Sequence, residues 1–130
     1  MKIAFLGGGN MASALIGGLI AKGHDAARIS VIEMSPAARD KLSARYPVRV
    51  TTAPDDAMRG ADTLVLAVKP QDMRRALASL GSEVRGALVI SVAAGITLQT
   101  LSRWLGGHRR IVRCMPNTPE IGRASCRERV

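Results

Sequence analysis

Short apolar runs recur along this 130-residue chain at Ile3 to Leu6, Ile29 to Ile32, Leu64 to Val68, Ala87 to Val92 and Ile111 to Cys114, and segments of helical spacing lie between them. Each run is short enough to be a strand buried on both faces. After Gly9, the residues Met11, Leu15, Leu19 and Ile20 fit one helical face, Ala38 to Ala44 surrounds Leu42, and Met73, Leu77 and Leu80 repeat at i, i+4 and i+7 until Gly81. A shorter apolar piece, Val48 to Val50, fits a third strand. A crossover helix is the economical way to bring the next strand back in the same direction, so the pattern predicts an α/β fold with a doubly wound parallel sheet. A chain of this size buries roughly two-thirds of the surface its unfolded form exposes, which suits a single domain.

The formal net charge is +9, but the arginines are scattered singly and in pairs such as Arg74-Arg75 and Arg109-Arg110. The aromatics are Phe5, Tyr46 and Trp104, too few for a base-stacking platform. The charge is therefore expected on solvated helix faces, where it favours a polyanionic small ligand over nucleic acid. No apolar run approaches the roughly 20 residues of a membrane span, and the one at the N-terminus is too short for a secretory signal. The expectation is a soluble, cytoplasmic protein without membrane partners. Cys114 and Cys126 stand outside any C-x-x-C pair or histidine cluster, which predicts neither a metal site nor a disulfide framework.

After the first strand the chain reads Gly7-Gly8-Gly9-Asn10-Met11-Ala12, a match to G-x-G-x-x-A. Gly7 permits a tight turn, Gly9 has no side chain to block a pyrophosphate from the backbone, and Ala12 lets the helix pack close to the strand. The helix that follows directs free N–H groups and the positive end of its dipole at phosphate. The motif follows a strand, opens a helix and lies within a β-α-β unit, which is the context for dinucleotide binding. The second strand ends at Glu33, whose carboxylate suits the ribose 2′-hydroxyl of NADH and would repel the 2′-phosphate of NADPH. Ser35 and Arg39, just beyond, suit that phosphate instead, so both cofactors remain open. His24 and His108 do not fall at carboxyl ends of strands and are not expected to act in catalysis.

In an open parallel sheet the ligand lies beyond the carboxyl ends of the strands. The exits here are Ala67-Val68-Lys69-Pro70-Gln71, Ser91-Val92-Ala93-Ala94-Gly95-Ile96 and Arg113-Cys114-Met115-Pro116-Asn117-Thr118-Pro119. Pro70 ends a strand and starts a helix, Lys69 presents a cation, Ala93, Ala94 and Gly95 admit a flat ring, and Asn117 and Thr118 offer an amide and a hydroxyl. Taken in order, G-G-G-N-M-A, A-V-K-P-Q, S-V-A-A-G-I and M-P-N-T-P closely resemble pyrroline-5-carboxylate reductase over residues 1–119. The resemblance implies a Rossmann-like domain and NADPH- or NADH-dependent reduction of 1-pyrroline-5-carboxylate to L-proline. It further implies that Phe5, Gly7, Gly8, Gly9, Asn10, Met11 and Ala12, with Ala67, Val68, Lys69, Pro70, Ala93, Ala94 and Gly95, hold the cofactor, and that Asn117 and Thr118 lie beside its reactive end. Glu33 and Ser35 join this set at the adenosine end. No catalytic acid or base is assigned, since hydride transfer rests mainly on cofactor chemistry and orientation.

Residues 120–130 depart from the family and carry no helical or alternating apolar period. They are expected to form an irregular tail, and they can be spelled by sequencing-library adapter DNA read in one frame, so they are set apart from residues 1–119 as a foreign segment. The family continues into a helical domain that dimerises and carries most of the imine site. A chain without it is expected to bind dinucleotide, to reduce little or no imine and to lack the family's homo-oligomer. The alternatives are a reductase of the β-hydroxyacid dehydrogenase or ketopantoate reductase kind, and a non-catalytic NAD(H)-binding redox sensor.

Overall fold

A computed structural model describes residues 1–53, 59–78, 80, 84, 86–92, 95–115 and 125–129. The strands are β1 Ile3–Leu6, β2 Ile29–Ile32, β3 Arg49–Thr51, β4 Thr63–Leu66, β5 Leu88–Ser91, β6 Ile111–Met115 and β7 Ser125–Arg129. The helices are α1 Asn10–Ala21, α2 Pro36–Arg45, α3 Pro70–Ala78 and α4 Leu98–Trp104, with a short 3-10 turn at Ala26–Arg28. The sheet order is β3-β2-β1-β4-β5-β6-β7, and β1 to β6 run parallel. The strand order reverses between β1 and β4, the place where such sheets open a crevice for ligands.

The alternation of side chains along each strand divides the core between the two faces of the sheet. Ile3, Phe5, Ile29, Val31 and Val65 pack with Ala12 and Ile16 of α1 and Leu42 of α2. Ala4, Leu6, Leu64 and Leu66 pack on the other face with Met73, Leu77, Leu80 and Leu101. Met73 and Leu77 of α3, followed by Leu80 beyond the helix end, are thus the buried series the spacing predicts. On α1 the buried residues are Ala12 and Ile16, while Met11 is 39% exposed at the rim. The turn between β1 and α1 brings the first helical turn so close to the sheet that alanine fits at the contact and methionine is turned outward.

Two features of the chain escape the apolar pattern. Helix α4 has only seven residues, too few to display a period, but Thr97 marks its start by accepting a hydrogen bond at Oγ1 from the Thr100 N–H at 3.1 Å. Thr97→Ala is expected to cost about 1 kcal/mol of stability through loss of that cap, read as a lower urea midpoint at unchanged slope.

The second feature corrects the expected irregular tail. Residues 125–129 form β7, antiparallel to β6, with Cys114 opposite Cys126 in the register. Cys114 is disulfide-bonded, contrary to the reading of the cysteines as unlinked. A strand can be added to an exposed edge through backbone N–H and C=O groups, which every sequence carries, so an apolar period is not required of it.

Candidate functional site

The turn after β1 is fixed by the chain on both sides. Gly7 adopts φ +102°, its N–H donates to the Ile32 carbonyl at 2.8 Å, and the following loop from β4 touches it closely. A Cβ at Gly7 would stand 2.8 Å from the Ala67 carbonyl oxygen and 2.9 Å from Val68 Cγ1. Strand β4 ends at Leu66, two residues before the predicted end, so Ala67 and Val68 belong to this loop. The Ala67 N–H still donates to the Leu6 carbonyl at 2.8 Å, which pins the two loops together at the point where the strand order reverses.

Gly8 faces β2, where a Cβ would lie 3.2 Å from Val31 Cγ1 and 3.3 Å from Glu33 Cβ. Its N–H donates to Glu33 Oε1 at 2.7 Å, and the other carboxylate oxygen accepts from the Ser35 N–H at 2.8 Å. Gly9 differs from both neighbours. It has φ −79° and ψ −159°, extended backbone open to any residue, and a Cβ there would meet nothing within 4 Å. Gly9 is the N-cap of α1 and supplies no side-chain cap, so the first-turn N–H groups of the helix have no side-chain cap from that residue.

A groove of about 830 Å³ runs from this turn between α1 and α2, walled by Gly9, Asn10, Ser13, Ser35, Lys41 and Arg45 among others. None of its lining residues is acidic. Ser35 caps α2 by accepting from the Ala38 N–H at 3.3 Å, and Pro36 fills the first helical position, where a missing N–H costs nothing. Arg39 donates through Nη1 to the carbonyls of Glu33 and Met34 at 3.1 and 2.9 Å, bringing a cation beneath the β2–α2 turn. Ser13, Lys41 and Arg45 were not anticipated from the sequence. The spacing of Ala38, Lys41 and Arg45 at i, i+3, i+7 is the signal that would have placed them on one helical face.

The structure therefore joins Gly7 to Ala67 and Val68, and Gly8 to Glu33 and Ser35, while Gly9, Asn10 and Ser35 open onto the groove. Phe5 and Ala12 are core residues at 1% and 0% exposure, so they support the site from beneath and present no surface to a ligand. Pro70 opens α3 as expected, and Lys69 is exposed just before it. Gly95 is an exposed turn residue at φ +82°. Ala93, Ala94, Asn117 and Thr118 lie outside the described residues.

Both histidines stand away from this site. His108 Nε2 donates to the Ala87 carbonyl at 2.8 Å and ties the loop before β6 to the start of β5. His24 Nε2 is buried after α1 without a hydrogen-bond partner. Among the described residues, no group of three or more His, Cys, Asp or Glu side chains is placed to hold a metal ion, and no helix is long and apolar enough to cross a membrane.

Comparison with known proteins agrees with the four-motif resemblance. A family profile described as "NADP oxidoreductase coenzyme F420-dependent" matches residues 2–95. Pyrroline-5-carboxylate reductase of Pseudomonas aeruginosa is 42% identical over 121 residues, covering 92% of this chain and 44% of that protein. Among solved structures, a pyrroline-5-carboxylate reductase from Coxiella burnetii superimposes with a TM-score of 0.83 at 41% identity, covering 91% of this chain and 44% of that one. Plasmodium falciparum pyrroline carboxylate reductase with NADP bound gives a TM-score of 0.76 at 26% identity, covering 92% and 43%. The chain thus spans less than half the length of these relatives.

Proposed function

The chain belongs to the NADP oxidoreductase, coenzyme F420-dependent family, and from that premise we propose that it binds NADPH or NADH as the cofactor-holding part of a pyrroline-5-carboxylate reductase. The observation that carries the reading is the contrast among the three glycines. Gly7 and Gly8 are crowded by the protein itself, whereas Gly9 has ordinary backbone angles and open space where a side chain would be. Folding does not demand glycine at that position. A ligand lying against the backbone does.

The groups around this space fit a pyrophosphate. The N–H groups of the first turn of α1 and the positive end of its dipole face the opening left at Gly9. Ser35, Lys41 and Arg45 extend a neutral-to-basic wall toward the adenosine end. Gly7, with Ala67 and Val68, forms the floor of the crevice at the reversal of strand order. When bound, the reduced nicotinamide supplies a hydride, and the family's substrate takes it at the imine carbon. The residues of this chain bind and orient. Lys69, Pro70 and Gly95, which follow the ends of their strands, and Asn117 and Thr118, by the family motif alone, are assigned to the nicotinamide side of the cofactor. The substrate is a small imine carboxylate, and we assign most of its contacts, together with the homo-oligomeric contacts, to the part of the relatives this chain does not span.

A titration of the 130-residue chain with NADPH, followed by nucleotide fluorescence, tests the reading. Gly9→Ala is expected to weaken binding by about tenfold or more, corresponding to about 1.4 kcal/mol. It is expected to lower the melting temperature by no more than about 4 °C, because alanine in place of glycine at an N-cap costs less than about 1 kcal/mol. Wild-type chain that binds no dinucleotide, or a Gly9→Ala chain that binds as well as wild type, overturns the proposal.

A further inference from the structure

We infer that Tyr46 is a positioning residue for the groove: its hydroxyl fills the space that a side chain at position 17 would need, and its ring sets the spacing of α1 and α2. The inference rests on the dinucleotide reading above and deepens it.

Gly17 lies in the middle of α1, seven residues after Asn10. Glycine is the least favourable residue in a helix interior after proline, and the positive-φ glycines of this chain lie elsewhere. The helix therefore gives no reason for it. Another element does. A Cβ at Gly17 would stand 2.5 Å from Tyr46 Oη and 3.2 Å from Tyr46 Cζ. Both Gly17 and Gly9 line the groove, but Gly17 leaves room for a residue of α2 and Gly9 leaves room that nothing in the protein fills.

Tyr46 follows the last residue of α2, and its N–H donates to the Leu42 carbonyl at 2.9 Å, which fixes where the side chain leaves the helix. The ring is half-buried against the cluster that contains Ile16 of α1 and Leu42 of α2. The Arg45 guanidinium carbon stands 5.4 Å from the ring centroid, within the range of a cation–π contact. One ring thus meets α1 with its hydroxyl end and orients a cation of the groove wall over its face.

The opposite end of α2 is tied separately, through the Ser35 N–H and the Gly8 N–H on the two oxygens of Glu33. Tyr46 adds a second attachment at the far end of the helix, about 15 Å along its axis. The groove runs between these two ties. Its α1 wall is the i, i+3, i+4, i+7 series Asn10, Ser13, Ala14 and Gly17, and Lys41 and Arg45 stand one turn apart on its α2 wall. A ring pushed off Gly17 carries the end of α2 and both cations with it, and a site already in its binding geometry is lost.

A space-filling role and a positioning role make different forecasts. If Tyr46 only covers the core, Gly17→Ala changes stability and leaves the affinity of the folded chain as it was. If Tyr46 spaces the helices, Gly17→Ala weakens binding by the folded chain, and trimming the hydroxyl from Tyr46 restores it.

The test is a fluorescence titration with NADPH and with NADH of wild type, Gly17→Ala, Tyr46→Phe, the double variant and Tyr46→Leu, under conditions where circular dichroism shows each one folded. Gly17→Ala is expected to weaken both cofactors alike by about fivefold, or about 1 kcal/mol. Tyr46→Phe keeps the ring and is expected to bind within about twofold of wild type. The double variant is expected to recover most of the loss, because the atom nearest the new Cβ is gone. Tyr46→Leu removes the ring, is expected to weaken both cofactors as Gly17→Ala does, and decides the matter where Gly17→Ala does not fold. Tyr46 is the single tyrosine of the chain, so its ring gives one set of NMR signals, and their nuclear Overhauser contact with the Gly17 α-protons reports the seating directly. Folded Gly17→Ala that binds as wild type, a double variant as weak as Gly17→Ala, or Tyr46→Leu that binds as wild type overturns the inference while leaving dinucleotide binding intact. Binding of neither cofactor by wild type removes the reading beneath it, and the inference with it.

Discussion

Gly7→Ala is expected to lower the unfolding free energy by about 2–4 kcal/mol, the range of substitutions that combine backbone strain with a clash. Two effects act together. At φ +102° the backbone is one that a residue with a Cβ rarely adopts. The added carbon would also sit 2.8 Å from the Ala67 carbonyl oxygen and 2.9 Å from its carbon. Those are backbone atoms, and they have no rotamer to escape into. The Ala67 N–H is held by the Leu6 carbonyl and the Gly7 N–H by the Ile32 carbonyl, so relief at either loop breaks a hydrogen bond in the centre of the sheet. Differential scanning calorimetry should show a fall in melting temperature of roughly 10 °C, taking about 4 °C per kcal/mol for a chain of this size. A shift below about 2 °C would mean that the crevice floor moves freely, contrary to the packing described. Compared with Gly9→Ala, the variant separates a glycine required by folding from one required by a ligand.

Phe5→Ala is expected to cost more, about 3–5 kcal/mol, because it removes a ring from a fully buried place and leaves a cavity. Phe5 is 1% exposed on β1, the central strand between β2 and β4, and packs in the cluster that includes Ile3, Ala12, Ile16, Ile29, Val31 and Val65. Neighbours on rigid parallel strands have little freedom to close the gap. Since domains of this kind are stable by only about 5–15 kcal/mol, the loss consumes a large share of the total. Urea unfolding should show a lower midpoint at unchanged slope. Under conditions where the variant is folded, its affinity for NADPH should match wild type, because the ring reaches no surface. Loss of affinity in excess of the unfolded fraction would restore Phe5 to the ligand-contacting set.

Much of this architecture was legible in the residues themselves. Strands buried on both faces read as short, mostly apolar runs, so Ile3 to Leu6, and Ile29 to Ile32 with Ser30 alone polar, show their bounds directly. The glycine turn and Pro70 were legible for a related reason: backbone geometry with few solutions admits few residues. The parallel direction of the sheet followed from the alternation with helices. Helix α4 was not legible, because seven residues reveal no period and only the Thr97 cap marks it. Strand β7 was not legible either, since its pairing with β6 uses groups common to every residue.

The division within the site has the same origin. That the first turn would approach a phosphate was written in the order of Gly7, Gly9 and Ala12, because local chain geometry alone demands it. Which way Glu33 would turn was not, since the sequence places a carboxylate at the end of β2 and is silent on its partners. The Gly8 N–H, 25 residues earlier in the chain, becomes one of them only when β1 and β2 lie side by side. The sequence by itself thus determined the local elements and the turn chemistry, which depend on neighbours along the chain. Tertiary structure decided which glycines the fold requires, where the basic groove lies, and whether Glu33 faces backbone or ligand, because each depends on contacts between segments that only the folded sheet brings together.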